Sequence, residues 1–328
     1  MNIKEISIFL TLWAVSLILV IVAVFLYAQA YMFIFEKKNY EYGTWIWTPI
    51  TQMTPEMMAS QIGKVAENNF NAIYITTDEY LEMANLPESE RERKISEYYL
   101  KIDNFISLAK EKGISVDAEA GWSDWAEPEN AYKAQEIMNF VDHYNGSHEH
   151  KFRAVQFDVE PYLLPTYEDN KEEILTKFVI FVEGVSSKSR ELKLPVTFVI
   201  PHFYDSGQGW TPKINFNGKS DYAFNHMISI LGPLKNSKII IMAYRNFAEG
   251  ENGSLEISAK EIEDAEKTDV EIIIAQETGD TDPALVTFYG YTRADLFSQL
   301  KILAERFKNN KSFGGFAIHY LDVFLDLP

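Results

Sequence analysis

The chain has 328 residues and a formal net charge of −18. Residues 1–38 hold three basic and two acidic side chains, so the negative charge belongs to the remainder, whose potential repels polyanions and argues against nucleic acid or acidic polysaccharide as a ligand. Cysteine is absent, which excludes disulfides, thiolate metal sites and a cysteine nucleophile and leaves the compartment open.

The first element in chain order is an uncharged run over residues 6–35. About 20 apolar residues span a bilayer, so this run is long enough to cross with some tilt. Trp13, Tyr27 and Tyr31 are aromatics of the type found near membrane interfaces. Ala28-Gln29-Ala30 has the small-x-small form of a signal cleavage site, so a cleaved signal competes with an anchor. The expected division is therefore a membrane anchor or signal over 1–38 and one catalytic-type domain over 39–328. The expected address is a single-pass membrane protein with its domain outside the cytoplasm, or a secreted one if cut after Ala30.

Roughly 290 residues remain, enough for one α/β barrel. Eight strand-like runs follow in order: 44–48, 72–76, 115–120, 154–159, 196–200, 239–243, 270–276 and 315–319. β-Branched and aromatic residues dominate most of them, as in buried strands. Helical segments lie between. One opens at Thr54-Pro55, with Thr as N-cap and Pro in the first turn. Others cover 96–112, closed by Gly113, then 128–143, 171–186, 258–267 and 292–308, the last opened by the capping-box variant Thr292-Arg-Ala-Asp295. Alternating strands and helices imply βαβ units, and eight of them predict a (β/α)8 barrel. Only residues 320–328 follow the last strand, so the eighth helix is expected to be missing or reduced to a turn.

Active sites of such barrels lie at the C-terminal ends of the strands. Asp158 and Glu160 end the fourth strand, and residues two apart share a face, so both are expected to point into the barrel mouth. Paired carboxylates push one pKa up, which suits a general acid; the alternative is a solvated loop or an ion pair with Arg153. Glu277 ends the seventh strand, across the barrel from the fourth. There it forms a candidate acid–nucleophile pair with Glu160, or merely a capping residue. Tyr244 ends the sixth strand and His319 and Tyr320 the eighth. His202 follows the fifth strand, and Trp45 and Trp47 lie on the first. Together they form a plausible pocket lining. Asp117 and Glu119 share a face of strand three and Asp78 and Glu79 follow strand two, each read first as an ion pair or a solvated loop residue. Metal and cofactor motifs are absent: there is no HExxH, no Gly-rich phosphate loop and no GxSxG elbow. The aromatic content, 14%, serves a core and also suits a sugar cleft.

These residues resemble two groups of glycoside-hydrolase barrels. Asp158-x-Glu160 with Met242-x-Tyr244 and Gly314-Gly315 is similar to the chitinase-like family eighteen. That resemblance implies Glu160 as the acid, Asp158 as the residue orienting the substrate's own acetamido nucleophile, and Tyr244 as an assistant. Arg153 and Gln156 stand where that family has acidic residues, and His319 where it has Trp. Glu160-Pro161 with Glu277 resembles the clan A barrels, which implies an acid/base and a nucleophile; Val159 stands where clan A has Asn. Both resemblances imply a polysaccharide or oligosaccharide substrate, and the acidic charge of the domain favours a neutral or amino-bearing one. Two further readings stand beside hydrolysis: a non-catalytic, membrane-anchored glycan-binding barrel, and a barrel enzyme of another class acting on the cell envelope.

Overall fold

The computed structural model describes residues 40–205 and 211–328, with residues 13 and 15–17, which are helical. The predicted span over 6–35 and the cut after Ala30 otherwise lie outside the described residues. Among the described residues no helix is long and apolar enough to cross a membrane. Residues 1–40 and 41–328 are separate units.

The second unit is a closed barrel of eight parallel strands. They are β1 (Glu41–Ile46), β2 (Ala72–Thr76), β3 (Ser115–Ala120), β4 (Val155–Phe157), β5 (Val196–Pro201), β6 (Lys238–Met242), β7 (Glu271–Glu277) and β8 (Phe313–His319). Each predicted run meets its strand within a few residues. Parallel strands covered on both faces read as near-continuous apolar runs, which is why they stand out in the sequence. β1 closes the ring on β8, with Thr44 opposite Ile318 and the Thr44 hydroxyl donating to the Ile318 carbonyl at 3.0 Å. Gly315 makes this seam possible: its φ is +134°, and a Cβ there would stand 2.1 Å from the Glu41 carbonyl oxygen.

Nine helices flank the strands among the described residues: α1 (Pro55–Glu67), α2 (Glu79–Ala84), α3 (Glu88–Glu111), α4 (Tyr132–Ser147), α5 (Lys171–Leu192), α6 (Ala223–Leu231), α7 (Ser254–Ala265), α8 (Arg293–Phe307) and α9 (Leu321–Asp326). The Thr54 hydroxyl caps α1, and the Thr292–Asp295 capping box opens α8. The reduced eighth helix is α9, six residues long. Arg293 holds it, donating to the carbonyls of Leu325 at 2.7 Å and Leu327 at 3.0 Å while its guanidinium lies over Phe324. Helix α6 and the antiparallel ribbon of Ile214–Phe216 with Lys219–Asp221 were not expected.

The barrel interior is layered. At its N-terminal end Arg153 binds Asp117 through two bonds of 2.8 and 2.6 Å and Glu41 through bonds of 2.6 and 3.1 Å. Lys238 also reaches Glu41, at 2.5 Å, and the Tyr74 hydroxyl donates to it at 2.6 Å. Burial pushes the Glu41 carboxyl up, but Arg153 and Lys238 beside it outweigh this and bring it down to about 2. Arg153 is therefore committed below the core and is not the ion-pair partner considered for Asp158 and Glu160. Above this network lies an apolar layer of Trp45, Tyr74, Val199, Ile240, Ile273 and Ala317. The Trp45 indole donates to Gln156 at 2.7 Å, which satisfies its one buried polar atom.

Candidate active site

The period-two alternation of a strand fixes which residues reach the mouth. On β3, Asp117 and Glu119 both face inward but at different depths: Asp117 joins the ionic layer and Glu119 stands above it. On β4 the inward series is Gln156, Asp158 and Glu160. Gly121 follows β3 at φ +155°, where a Cβ would stand 2.3 Å from the Asp158 carbonyl oxygen. Its bare Cα lets the end of β4 approach β3, and the Asp158 amide donates to the Ala120 carbonyl at 3.1 Å.

A cavity of about 460 Å³ opens at this end, with Asp158, Glu160, Glu119, Asp78, Trp122 and His319 in its wall. A second cavity of about 720 Å³ adjoins it, and the two share Trp47, Thr76, Asp78 and Trp122. The result is a cleft running from the end of β4 over the loops after β1, β2 and β3. Trp122 is 64% exposed, a large apolar face offered to solvent at the cleft edge.

The cleft is strongly acidic. Burial raises the Glu160 carboxyl above its ordinary range, against the Tyr162 hydroxyl, which donates to it, and the neighbouring His319. Burial also raises Asp158, and the charges of Glu160 and Asp78 add to this. Glu119 is 2% exposed and is pushed up by burial, then by Asp78 and Asp158. Asp78 is raised to about 6 by burial, although the Gly121 amide and Trp122 side chain favour its charged form. One oxygen each of Asp78, Glu119 and Asp158 has no hydrogen-bond partner.

Glu277 lies elsewhere. It is 6% exposed, and both oxygens are engaged: one accepts from the amides of Thr278 at 2.8 Å and Gly279 at 2.6 Å, the other meets His319 Nδ1 at 2.6 Å. The Trp47 indole, a donor only, reaches His319 Nε2 at 3.2 Å. That contact makes Nε2 the acceptor and Nδ1 the carrier of the ring proton, donated to Glu277. Glu277 and His319 are direct partners in the β7–β8 ladder. Tyr244 stacks on the His319 ring with centroids 6.4 Å apart, and Tyr320 meets it edge-on at 5.1 Å. Burial, then the charges of Glu277, Asp158 and Glu160, keep the Tyr244 hydroxyl protonated. His202 stands at the end of β5, its Nδ1 3.4 Å from the Met242 carbonyl. Burial and then Arg245 lower it to about 4, so it is a neutral ring near pH 7.

The expected residues therefore divide. Asp158, Glu160, Trp47 and His319 meet in the cleft, with Tyr244 and Tyr320 packed around His319. Glu277 sits behind His319, and His202 lies outside the cavity wall. Asp78 and Glu119, read first as paired or solvated, face the cavity. Trp122 was not singled out; the signal available was a tryptophan directly after a strand-ending glycine in a barrel. Among the described residues no group of three or more His, Asp or Glu side chains is placed to hold a metal ion.

No protein-family model matches the chain, and no curated protein matches its sequence. Solved structures do match the fold. The chain is similar to an exo-beta-1,4-mannosidase from Opitutaceae bacterium strain TAV5, at TM-score 0.53 and 11% identity. The match covers 85% of this chain, which spans about half (51%) of that protein. An endo-1,4-beta-D-mannanase from Thermotoga petrophila RKU-1 matches at TM-score 0.52 and 14% identity, over 86% of this chain and 88% of the other. A GH18 chitinase from Pseudoalteromonas aurantia matches at 0.51 and 11%, over 85% and 93%. At these identities the likeness establishes the barrel.

Proposed function

We propose that the protein is a glycoside hydrolase acting on a neutral or amino-sugar glycan, with Glu160 as the general acid/base. The observation that carries this reading is the position of Asp158 and Glu160: adjacent on one face, in an open cleft beside two tryptophans, with the Glu160 carboxyl held protonated beyond its ordinary range. A protonated carboxyl beside the scissile bond gives its proton to the leaving oxygen as the C–O bond breaks. The same group, now a carboxylate, takes a proton from the attacking water.

Two routes differ in the nucleophile. In one, the substrate's own acetamido oxygen attacks the anomeric carbon while its N–H donates to Asp158. In the other, Glu277 attacks. The open oxygen of Asp158 and the full engagement of both Glu277 oxygens favour the first. In this reading Glu277 is a positioning residue that fixes the His319 tautomer. Glu277→Gln is then expected to lower kcat about 10- to 100-fold, the scale seen when a supporting hydrogen bond is lost. A loss beyond about 10⁴-fold, with rescue of turnover by added azide, would instead make Glu277 the nucleophile.

One observation favours a second reading, a barrel that binds glycan without cleaving it: both oxygens of Glu277, the expected partner of Glu160, are already engaged by Thr278, Gly279 and His319. Release of reducing ends from any glycan separates the two. We further propose that residues 6–35 anchor the protein in a membrane, on the strength of their charge-free length, with the barrel outside the cytoplasm, where a polysaccharide substrate would lie. Fractionation that finds the intact chain only in the soluble cytoplasm overturns this.

A further inference from the structure

The acidic cluster in the cleft is larger than acid/base chemistry requires. Asp158 and Glu160 suffice for that chemistry, yet Asp78 and Glu119 stand in the same wall. Glu119 is almost completely buried, and its Oε2 has no donor; the same holds for Asp78 Oδ1. A buried acceptor without a partner is costly, and so is a group of carboxylates without a counter-charge. The chain answers this only in part: Thr76 bonds one side of Glu119, the Gly121 amide and Trp122 bond Asp78, and Lys133 favours the charged form of Asp78 from the adjoining cavity. Lys133 itself lies 3.7 Å from Asp124, and among the described residues no Lys or Arg lines the cavity that Asp78 and Glu119 share, where Glu119 Oε2 and Asp78 Oδ1 stay without donors.

We infer that Asp78 and Glu119 form a subsite for a protonated amine, and that the glycan bound here carries a free amino group on a sugar unit next to the one being cleaved. An ammonium brings what the site lacks: a positive charge and three N–H donors in a compact group. A neutral hydroxyl brings donors without the charge. An acetamido group brings a single donor and a methyl that has no place beside two carboxyls. Trp47 and Trp122 flank the same wall and offer aromatic faces to the sugar ring and to its cation. The geometry of the β2–β3 ladder holds the two acids together. Thr76 pairs with Glu119, and the Thr77 amide and hydroxyl both donate to the Glu119 carbonyl at 2.8 Å, which sets Asp78 just above. The substrate class is thereby narrowed to a partly N-deacetylated amino-sugar glycan. This rests on the hydrolase reading for the cleaved unit but not for the amine contact itself.

The test uses the full chain with Glu160→Gln, so that binding is measured without turnover, by calorimetry at about 150 mM salt. The ligands are hexamers of glucosamine, N-acetylglucosamine and mannose. The glucosamine hexamer is expected to bind at least about tenfold tighter than the other two. Adding Asp78→Asn and Glu119→Gln is expected to bring the three affinities together. These isosteric changes leave most of the −18 charge in place, so loss of preference reports the subsite and not the bulk field. If the combined variant does not fold, each single variant must reduce the preference. Equal affinities in the parent, or a preference unchanged in the variants, overturns the amine subsite. If the preference holds but the unsubstituted chain hydrolyses none of the three nor a mixed polymer, the hydrolase reading falls and the amine site stands.

Discussion

Glu160→Gln is expected to reduce glycan hydrolysis by about 10²- to 10⁴-fold, or roughly 3–5 kcal/mol of transition-state stabilisation. Glutamine keeps the shape of the side chain and still accepts from Tyr162, so the melting temperature should hardly move. What it cannot do is release a proton to a leaving oxygen. The pH profile supplies an independent check. Burial raises the Glu160 carboxyl, so the acid form persists above the ordinary carboxylate range and is lost as pH rises through the raised value. Activity should fall on that alkaline limb. Asp158 sits beside Glu160 and is raised with it, so the limb belongs to the pair. In Glu160→Gln any residual limb should be displaced, because Asp158 then titrates without the Glu160 charge beside it. A variant that hydrolyses at the parent rate, or keeps the same alkaline fall, removes Glu160 from the role.

Arg153→Met is expected to destabilise the barrel by about 3–5 kcal/mol, which for a domain of this size lowers the melting temperature by roughly 10 °C. The guanidinium is 30% exposed, which moves the expectation toward the lower figure, but the carboxylates it binds are not: the Asp117 and Glu41 side chains are 1% and 5% exposed. Methionine fills the volume and leaves Asp117 buried without its partner. The sign with pH is distinctive. Glu41 lies at about 2 in the fold against an ordinary 4.5, so its stabilising contribution is present above about 4.5 and disappears as pH falls toward 2. The gap between parent and variant should be full at pH 7 and close in acid. Thermal melts across that range decide it; equal melting temperatures at pH 7, or a gap that ignores pH, would show the network to be dispensable.

The fold was legible because eight buried parallel strands write themselves as apolar runs, and the helices between them carry caps such as Thr54 and the Thr292–Asp295 box. The legible part ends where the signal is weak. The start of α3, with the sequence ESERERK, has no apolar stripe, so the helix reads eight residues short. Helix α6 and the ribbon before it lie between the predicted strands 196–200 and 239–243, where no helical segment was expected. In the site, Asp158 and Glu160 were visible because two-residue spacing needs one strand alone. The relation of Glu277 to His319 was not, since it depends on the register of β7 against β8, which a sequence of parallel strands does not display. Asp78 and Glu119 were ranked low because a single acid after a strand is usually solvated; only the wall they share makes them a cluster.

That ladder partnership between Glu277 and His319 has a consequence for how the protein can change. The dyad is welded into the barrel frame, whereas Asp78 and Trp122 ride on the loops that leave β2 and β3. A graft that exchanged residues 77–86 and 121–131 for other loops would redraw what the cleft grips while leaving the dyad, Asp158 and Glu160 in place. Diversification of ligand preference in this barrel should therefore concentrate in two short segments, and the opposite side of the mouth should tolerate little.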